Sequence, residues 1–134
     1  MIKLIVLLFT LILINKSLAE KAHFNVKDSS GEHFVIELTD HDLIRHARDL
    51  IYNKAKERFH VQGKIVKEKR AYNSKWHFHL DPSSISFYDT PMDSCCSTEL
   101  AGIGKRLDEA CTPSFLPNCF CCLSSSKVLN EIKL

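Results

Sequence analysis

All six cysteines of this 134-residue chain fall between positions 95 and 122: Cys95, Cys96, Cys111, Cys119, Cys121 and Cys122. An even number of cysteines crowded into one stretch of a small chain reads as a disulfide framework in an oxidising compartment. In a reducing one the same pattern reads as metal or redox chemistry. Where the chain goes therefore decides what its C-terminal third can fold into.

The N-terminus speaks to that question. Lys3 is followed by an apolar run from Leu4 to Ile14, interrupted only by Thr10, and then by Ser17-Leu18-Ala19. A positive start, a short apolar core and small residues at the −3 and −1 positions describe a secretory signal cleaved after Ala19. The apolar run is well short of the roughly 20 residues a spanning helix requires. The expectation is thus export to the extracellular space, with a signal peptide at 1–19, one mature domain at 20–134 and no membrane span in that domain. The signal carries Lys3 and Lys16 and no acid, so the whole formal charge of +2 belongs to it. A neutral mature domain has no global field to draw it to nucleic acid. The one Asn-x-Ser sequon, at Asn15, lies inside the signal.

In an oxidising compartment the six cysteines are all disulfide candidates, each bridge contributing about 2–4 kcal/mol. Bridges among them would tie a Cys-rich segment, 94–126, back to the end of the last strand. Two other chemistries compete for the same residues. Cys119 and Cys122 form a C-x-x-C, which could be redox-active, but it follows Pro117 in a tail and does not open a helix after a strand. The same two could also join other ligands around zinc.

Period-2 patterning places Ala22, Phe24 and Val26 on one face, then Phe34, Ile36 and Leu38, joined by Asp28-Ser29-Ser30-Gly31: a β-hairpin. Thr39 to Asp42 offers capping side chains. Leu43, Ile44, Ala47, Leu50 and Ile51 follow with helical spacing, predicting one long amphipathic helix of about four turns ending near Asn53. Its basic face resembles a membrane-surface or calmodulin-target pattern, although a core-packed helix with a solvated face needs the same residues. Alternation returns at Phe59, Val61 and Ile65, with Gly63 bending the strand, and again at Trp76, Phe78 and Leu80. Ile85 and Phe87 continue a further strand, and Leu100, Ile103, Leu107 and Ala110 suggest a second, short helix. The order predicts an α+β fold on a mainly antiparallel sheet, finished by a disulfide-stapled tail.

His77 and His79, two apart on that presumed strand, would share one face and could present two imidazoles to a zinc ion, with His23, His60 or Asp81 as a third ligand. The opposing reading has Trp76, Phe78 and Leu80 facing the core and the histidines facing solvent. No Gly-x-Ser-x-Gly, no His-Glu-x-x-His and no phosphate-cradling glycine loop occurs. The acids Asp40, Asp42, Asp81, Asp89 and Asp93 sit where caps and turns use them. The chain is expected to be a non-catalytic interaction module without a cofactor, its partner an extracellular protein or small ligand. The alternative is a zinc-dependent site, hydrolytic or not, built on His77 and His79.

Several blocks carry a family likeness. They are Glu32-His33-Phe34-Val35-Ile36-Glu37-Leu38-Thr39-Asp40, Ala47-Arg48, and His60-Val61-Gln62-Gly63-Lys64-Ile65-Val66-Lys67. The most specific run is Tyr72-Asn73, Trp76, Phe78-His79-Leu80-Asp81-Pro82 and Ser84-Ile85-Ser86-Phe87. Together they resemble the N-terminal domain family of a slime-mould calmodulin-binding protein (the BP seventy-four type domain), over roughly residues 22 to 123. The resemblance extends to a C-x-x-C tail matching Cys119 and Cys122 and to a cysteine after the last strand matching Cys95. Cys96, Cys111 and Cys121 depart from it, as does Asp89-Thr90-Pro91-Met92. The resemblance implies a domain and no mechanism. Calmodulin, a mainly cytosolic protein, is not the expected partner of an exported chain.

Overall fold

A computed structural model of the chain describes residues 20–91, 97–123 and 125–134. The proposed signal at 1–19, together with Cys95 and Cys96, lies outside the described residues. Eight strands and two helices follow in the order β1 (Ala22–Lys27), β2 (His33–Leu38), α1 (His41–Ile51), β3 (His60–Val66), β4 (His79–Leu80), β5 (Ser86–Tyr88), β6 (Ser97–Thr98), α2 (Leu100–Lys105), β7 (Phe120–Leu123) and β8 (Lys127–Ile132). One sheet runs β2-β1-β8. The other runs β4-β3-β7-β6, with β5 also on β3. Every pairing is antiparallel except β6 with β7. The class is α+β on mainly antiparallel sheet.

The hairpin forms as its alternation dictates. Ala22 pairs with Leu38, Phe24 with Ile36 and Val26 with Phe34, and all six are buried. Its turn closes on Gly31 at φ +88°, a left-handed conformation that glycine adopts without penalty. Asp28, only 4% exposed, organises that turn and more. Its Oδ1 accepts from the Ser30 N–H and hydroxyl and from the Glu32 N–H, and its Oδ2 accepts from the Leu100 N–H at 2.8 Å. A residue that reads as a turn former is thus the tie between the first hairpin and the start of α2.

The first helix is shorter than the four turns expected. It spans 11 residues, from His41 to Ile51. Asp40 caps it, accepting from the N–H groups of Asp42 and Leu43. Ile44 and Ala47 are buried, with Leu43, Leu50 and Ile51 packed against the same core. On the other face Arg48 clamps Glu131 of β8 at 2.8 Å and Glu20 at 2.9 Å. The turn after Ile51 stops the helix: Asn53 is left-handed at φ +58°, and the N–H groups of Lys54 and Ala55 return to the Asp49 carbonyl.

β3 uses both of its edges. One pairs with β7; the other is shared by β5 at residues 60–62 and β4 at 65–66. Between those two short strands the 3-10 turn Pro82–Ser84 crosses over Gly63. A Cβ at Gly63 would meet Ser84 Oγ at 3.2 Å and the Ile85 Cα at 3.4 Å. The glycine is therefore there for close approach of two chains.

Two sequence expectations change here. Trp76 and Phe78 belong to no strand, because β4 begins only at His79. The tail is not an irregular knot: β7 and β8 are regular strands, and β8 pairs with β1 along most of its length. Its Lys127, Asn130 and Glu131 hide a core contribution that Val128 makes from inside. The result is a main apolar core holding side chains of both sheets and both helices, with a small second cluster of Tyr88, Cys122 and Phe120.

Burial opposes ionisation of Asp28, but the Ser30 hydroxyl and the N–H groups of Leu100, Glu32 and Ser30 outweigh it and hold the carboxyl below its ordinary 3.8. A lowered folded pKa adds stability that is fully present above the unfolded value and is lost as pH falls through the folded one. Urea denaturation across pH should therefore show stability falling below about pH 4, and Asp28→Asn should flatten that fall while lowering stability at neutral pH.

Candidate functional site

The family-like run from Tyr72 to Phe87 is the first place to look for function, and most of its buried polar groups turn out to be committed to backbone. Asn73, 4% exposed on a 3-10 turn, accepts from the Val35 N–H at 2.7 Å and donates to the Val35 carbonyl. One side-chain amide thus supplies β2 with both halves of a missing strand partner. Trp76 Nε1 donates to the His33 carbonyl, two residues along the same edge, at 2.8 Å. Phe78 stacks on Phe34 with ring centroids 5.3 Å apart, and Trp76 meets Phe78 edge-on at 5.6 Å. The Tyr72 ring lies 5.0 Å from that of His23, which faces Glu37.

Further along, Asp81 accepts from the N–H and hydroxyl of Ser83. Ser84 Oγ accepts from the Lys64 N–H and donates to the Asp81 carbonyl. Leu80, Ile85 and Phe87 are buried in the core. The run is a scaffold that fastens the second sheet to β2, and Asn73, His79, Asp81 and Ser84 are spent on it.

His77 and His79 do not share an environment. His79 is 2% exposed, and its Nδ1 donates to the Glu68 carbonyl at 2.7 Å, which places the proton on that nitrogen. His77 is exposed at a bend. The i, i+2 alternation expected of them needs an extended strand, and the strand starts two residues too late, at His79. Among the described residues no three His, Cys, Asp or Glu side chains gather as a metal site.

What the scaffold leaves open is a groove of about 620 Å³ between the Trp76–Phe78 segment and α2. Trp76 and Phe78 form one wall, with His77; Ala101, Gly104 and Leu107 form the other. Lys75, Lys105 and Asp108 supply charge around it. Lys75 is engaged, paired with Glu32 and lying 5.3 Å from the Trp76 ring centroid. Gly104 keeps the groove open, since a Cβ there would come within 3.3 Å of the Trp76 ring. In the sequence the glycines of this helix look like weaknesses, and nothing local marks Gly104 as a wall.

The cysteines divide by position. Cys111 and Cys119 form a disulfide with a Cα–Cα distance of 4.2 Å, closing the loop after α2. Cys122 is disulfide-bonded as well. Cys121 departs from the expectation that all six are paired: it is a free thiol at 0% exposure. Strand alternation is the reason. On β7 successive side chains point to opposite faces; Cys121 joins the main core, whereas Cys122 packs with Tyr88 and Phe120 on the other side. The C-x-x-C of Cys119 and Cys122 is not a closed redox pair either, because Cys119 is bonded to Cys111.

Replacing Asn73 by Ala strands two backbone groups at the β2 edge and should cost about 2 kcal/mol in urea denaturation. Burial pushes the Cys121 thiol up to about 12, and no reagent reaches it. Mass spectrometry should find Cys121 unmodified after iodoacetamide treatment of the native protein and alkylated once the protein is denatured.

No helix among the described residues is long and apolar enough to cross a membrane. No curated protein and no solved structure matches the chain. The family model described as the BP seventy-four N-terminal domain matches residues 20–134. That span takes in the hairpin, the Tyr72–Phe87 scaffold and the C-terminal strands alike, and the chain belongs to the BP seventy-four N-terminal domain family.

Proposed function

We propose that the chain is a small secreted, non-catalytic interaction module that receives a small ligand or a segment of an extracellular partner in the groove between Trp76 and α2. The observation that carries this reading is the division of labour around the groove. Asn73, Trp76, His79, Asp81 and Ser84 of the family-like run are bonded to backbone, while an open, partly aromatic concavity stands beside them with Lys105 and Asp108 in no ion pair among the described residues. A volume of this size suits a small molecule or a short chain segment. The signal-like N-terminus and the disulfide at Cys111–Cys119 support the extracellular part of the reading. A zinc site on His77 and His79 draws no support from their separate environments.

The test uses protein recovered from the medium of secreting cells. Its intact mass should begin at Glu20. Titration with a library of small aromatic acids, amines and amides should then shift the amide resonances of Ala101 to Asp108 and the fluorescence of Trp76, the only tryptophan. Gly104→Leu, which fills the groove and crowds the Trp76 ring, should abolish those shifts and lower the thermal midpoint, while the protein still unfolds cooperatively. A library that moves none of these signals sinks the groove, and a protein retained in the cell sinks the export.

A further inference from the structure

A second surface, sharing none of the groove's residues, carries its own chemistry. Four large apolar side chains are exposed among the described residues: Tyr52 at 71%, Phe59 at 40%, Leu129 at 38% and Leu134 at 78%. Phe59 and Leu129 line one concavity of about 220 Å³, together with Leu50, Ile51 and Val128. Tyr52 sits in the chain between two other lining residues, Ile51 and Asn53.

Neither Phe59 nor Leu129 is exposed through looseness. The loop before Phe59 is tied down at both ends. The Lys54 and Ala55 N–H groups bond the Asp49 carbonyl, the Arg58 and Phe59 N–H groups bond one oxygen of Asp89, and His46 Nε2 donates to the Arg58 carbonyl. Arg58 is held left-handed at φ +56°. Leu129 is the extra residue of a bulge: β1 pairs Val26 with Val128 and Asn25 with Asn130, so Leu129 has no opposite number and turns outward. The surface is built before anything binds it, which lowers the cost of ordering on association.

Its charge is mainly positive. Lys54, Lys56 and Arg58 are exposed on the loop between two lining residues, Asn53 and Phe59, and Lys127 lines the concavity itself. None of these four cations is in an ion pair among the described residues. Glu57 is the loop's own acid, and Asp89 stands beside it with one oxygen taken by the Arg58 and Phe59 N–H groups. Fixed apolar area with one unpaired cation in its wall and three more on the adjoining loop calls for a partner that brings both an apolar anchor and carboxylates.

We propose that this surface docks an acidic segment of a partner protein bearing one bulky apolar side chain. That side chain fills the concavity, and the flanking carboxylates meet Lys54, Lys56, Arg58 and Lys127. The concavity is smaller than the roughly 300 Å³ at which small-molecule pockets begin and has the scale of one anchoring residue. An anionic membrane is the poorer fit, since the domain beyond its N-terminal segment is neutral overall and the apolar centre is recessed.

The experiment follows amide shifts of the ¹⁵N-labelled protein on addition of the blocked pentapeptide Glu-Glu-Phe-Glu-Glu. Shifts should concentrate at residues 50–59 and 127–129. The versions with Ala for Phe, or Lys for Glu, should bind at least about tenfold more weakly. Lys54→Glu with Lys56→Glu, both at exposed positions, should give a similar loss, as should Leu129→Ser. Added salt should weaken binding of the wild type. Absence of shifts at millimolar peptide, equal binding of the Lys peptide, or binding confined to phosphatidylserine vesicles would each overturn the proposal.

Discussion

Short strands leave backbone groups without partners, and in this domain side chains make up the difference. β4, β5 and β6 are two or three residues long, and β2 ends its sheet with an edge that no strand covers among the described residues. Asn73 and Trp76 close that edge at Val35 and His33. Ser126 Oγ accepts from the Val61 N–H and donates to the Leu123 carbonyl, joining the β7–β8 turn to β3 at 0% exposure. Asp28 does the same for α2, and Ser84 for the crossing at Gly63. An unpaired buried backbone group costs more than most single contacts return. The fold therefore rests on a handful of Asn, Asp and Ser side chains as much as on its apolar core.

That constraint separates scaffold from surface. Asn73, His79, Asp81 and Ser84 of the Tyr72–Phe87 run, the residue types that carry most chemistry, are ones the scaffold consumes. The surfaces left for recognition are built from less conspicuous material: a glycine that keeps a groove open against Trp76, and a bulged leucine beside a pinned loop. Disulfides serve the scaffold too. The Cys111–Cys119 bond closes a loop in which Cys111, Leu116, Asn118 and Cys119 all adopt left-handed backbone, a conformation that L-residues hold only when their surroundings impose it.

Much of the fold was legible in the sequence because periodicity reports burial directly. The hairpin alternation of Phe24, Val26, Phe34 and Ile36, the Asp40 cap and the Ile44–Ala47 stripe all appear where their patterns place them. The patterns failed where one residue type hides another role. Trp76 and Phe78 alternate like a strand, yet they pack beneath Phe34 from an irregular segment. Phe59 continues the alternation of Val61 and Ile65 but falls one residue before β3 and stays exposed. β8 went unread because a bulge shifts its register, so Leu129 and Glu131 break the two-residue period that would have announced it.

The sequence by itself determined the α+β class, the mainly antiparallel pairing, the family and the clustering of the cysteines, because local patterning and residue identity suffice for each. Only the tertiary structure decided that Asn73 is an edge clamp, that Asp28 reaches Leu100 across 72 positions, that His77 and His79 part company, and that Cys121 stays a free thiol beside a bonded neighbour. Each of these depends on which distant backbone group or which side of a sheet a residue meets. That is fixed by how strands far apart in the chain come to lie together, and no local pattern records it.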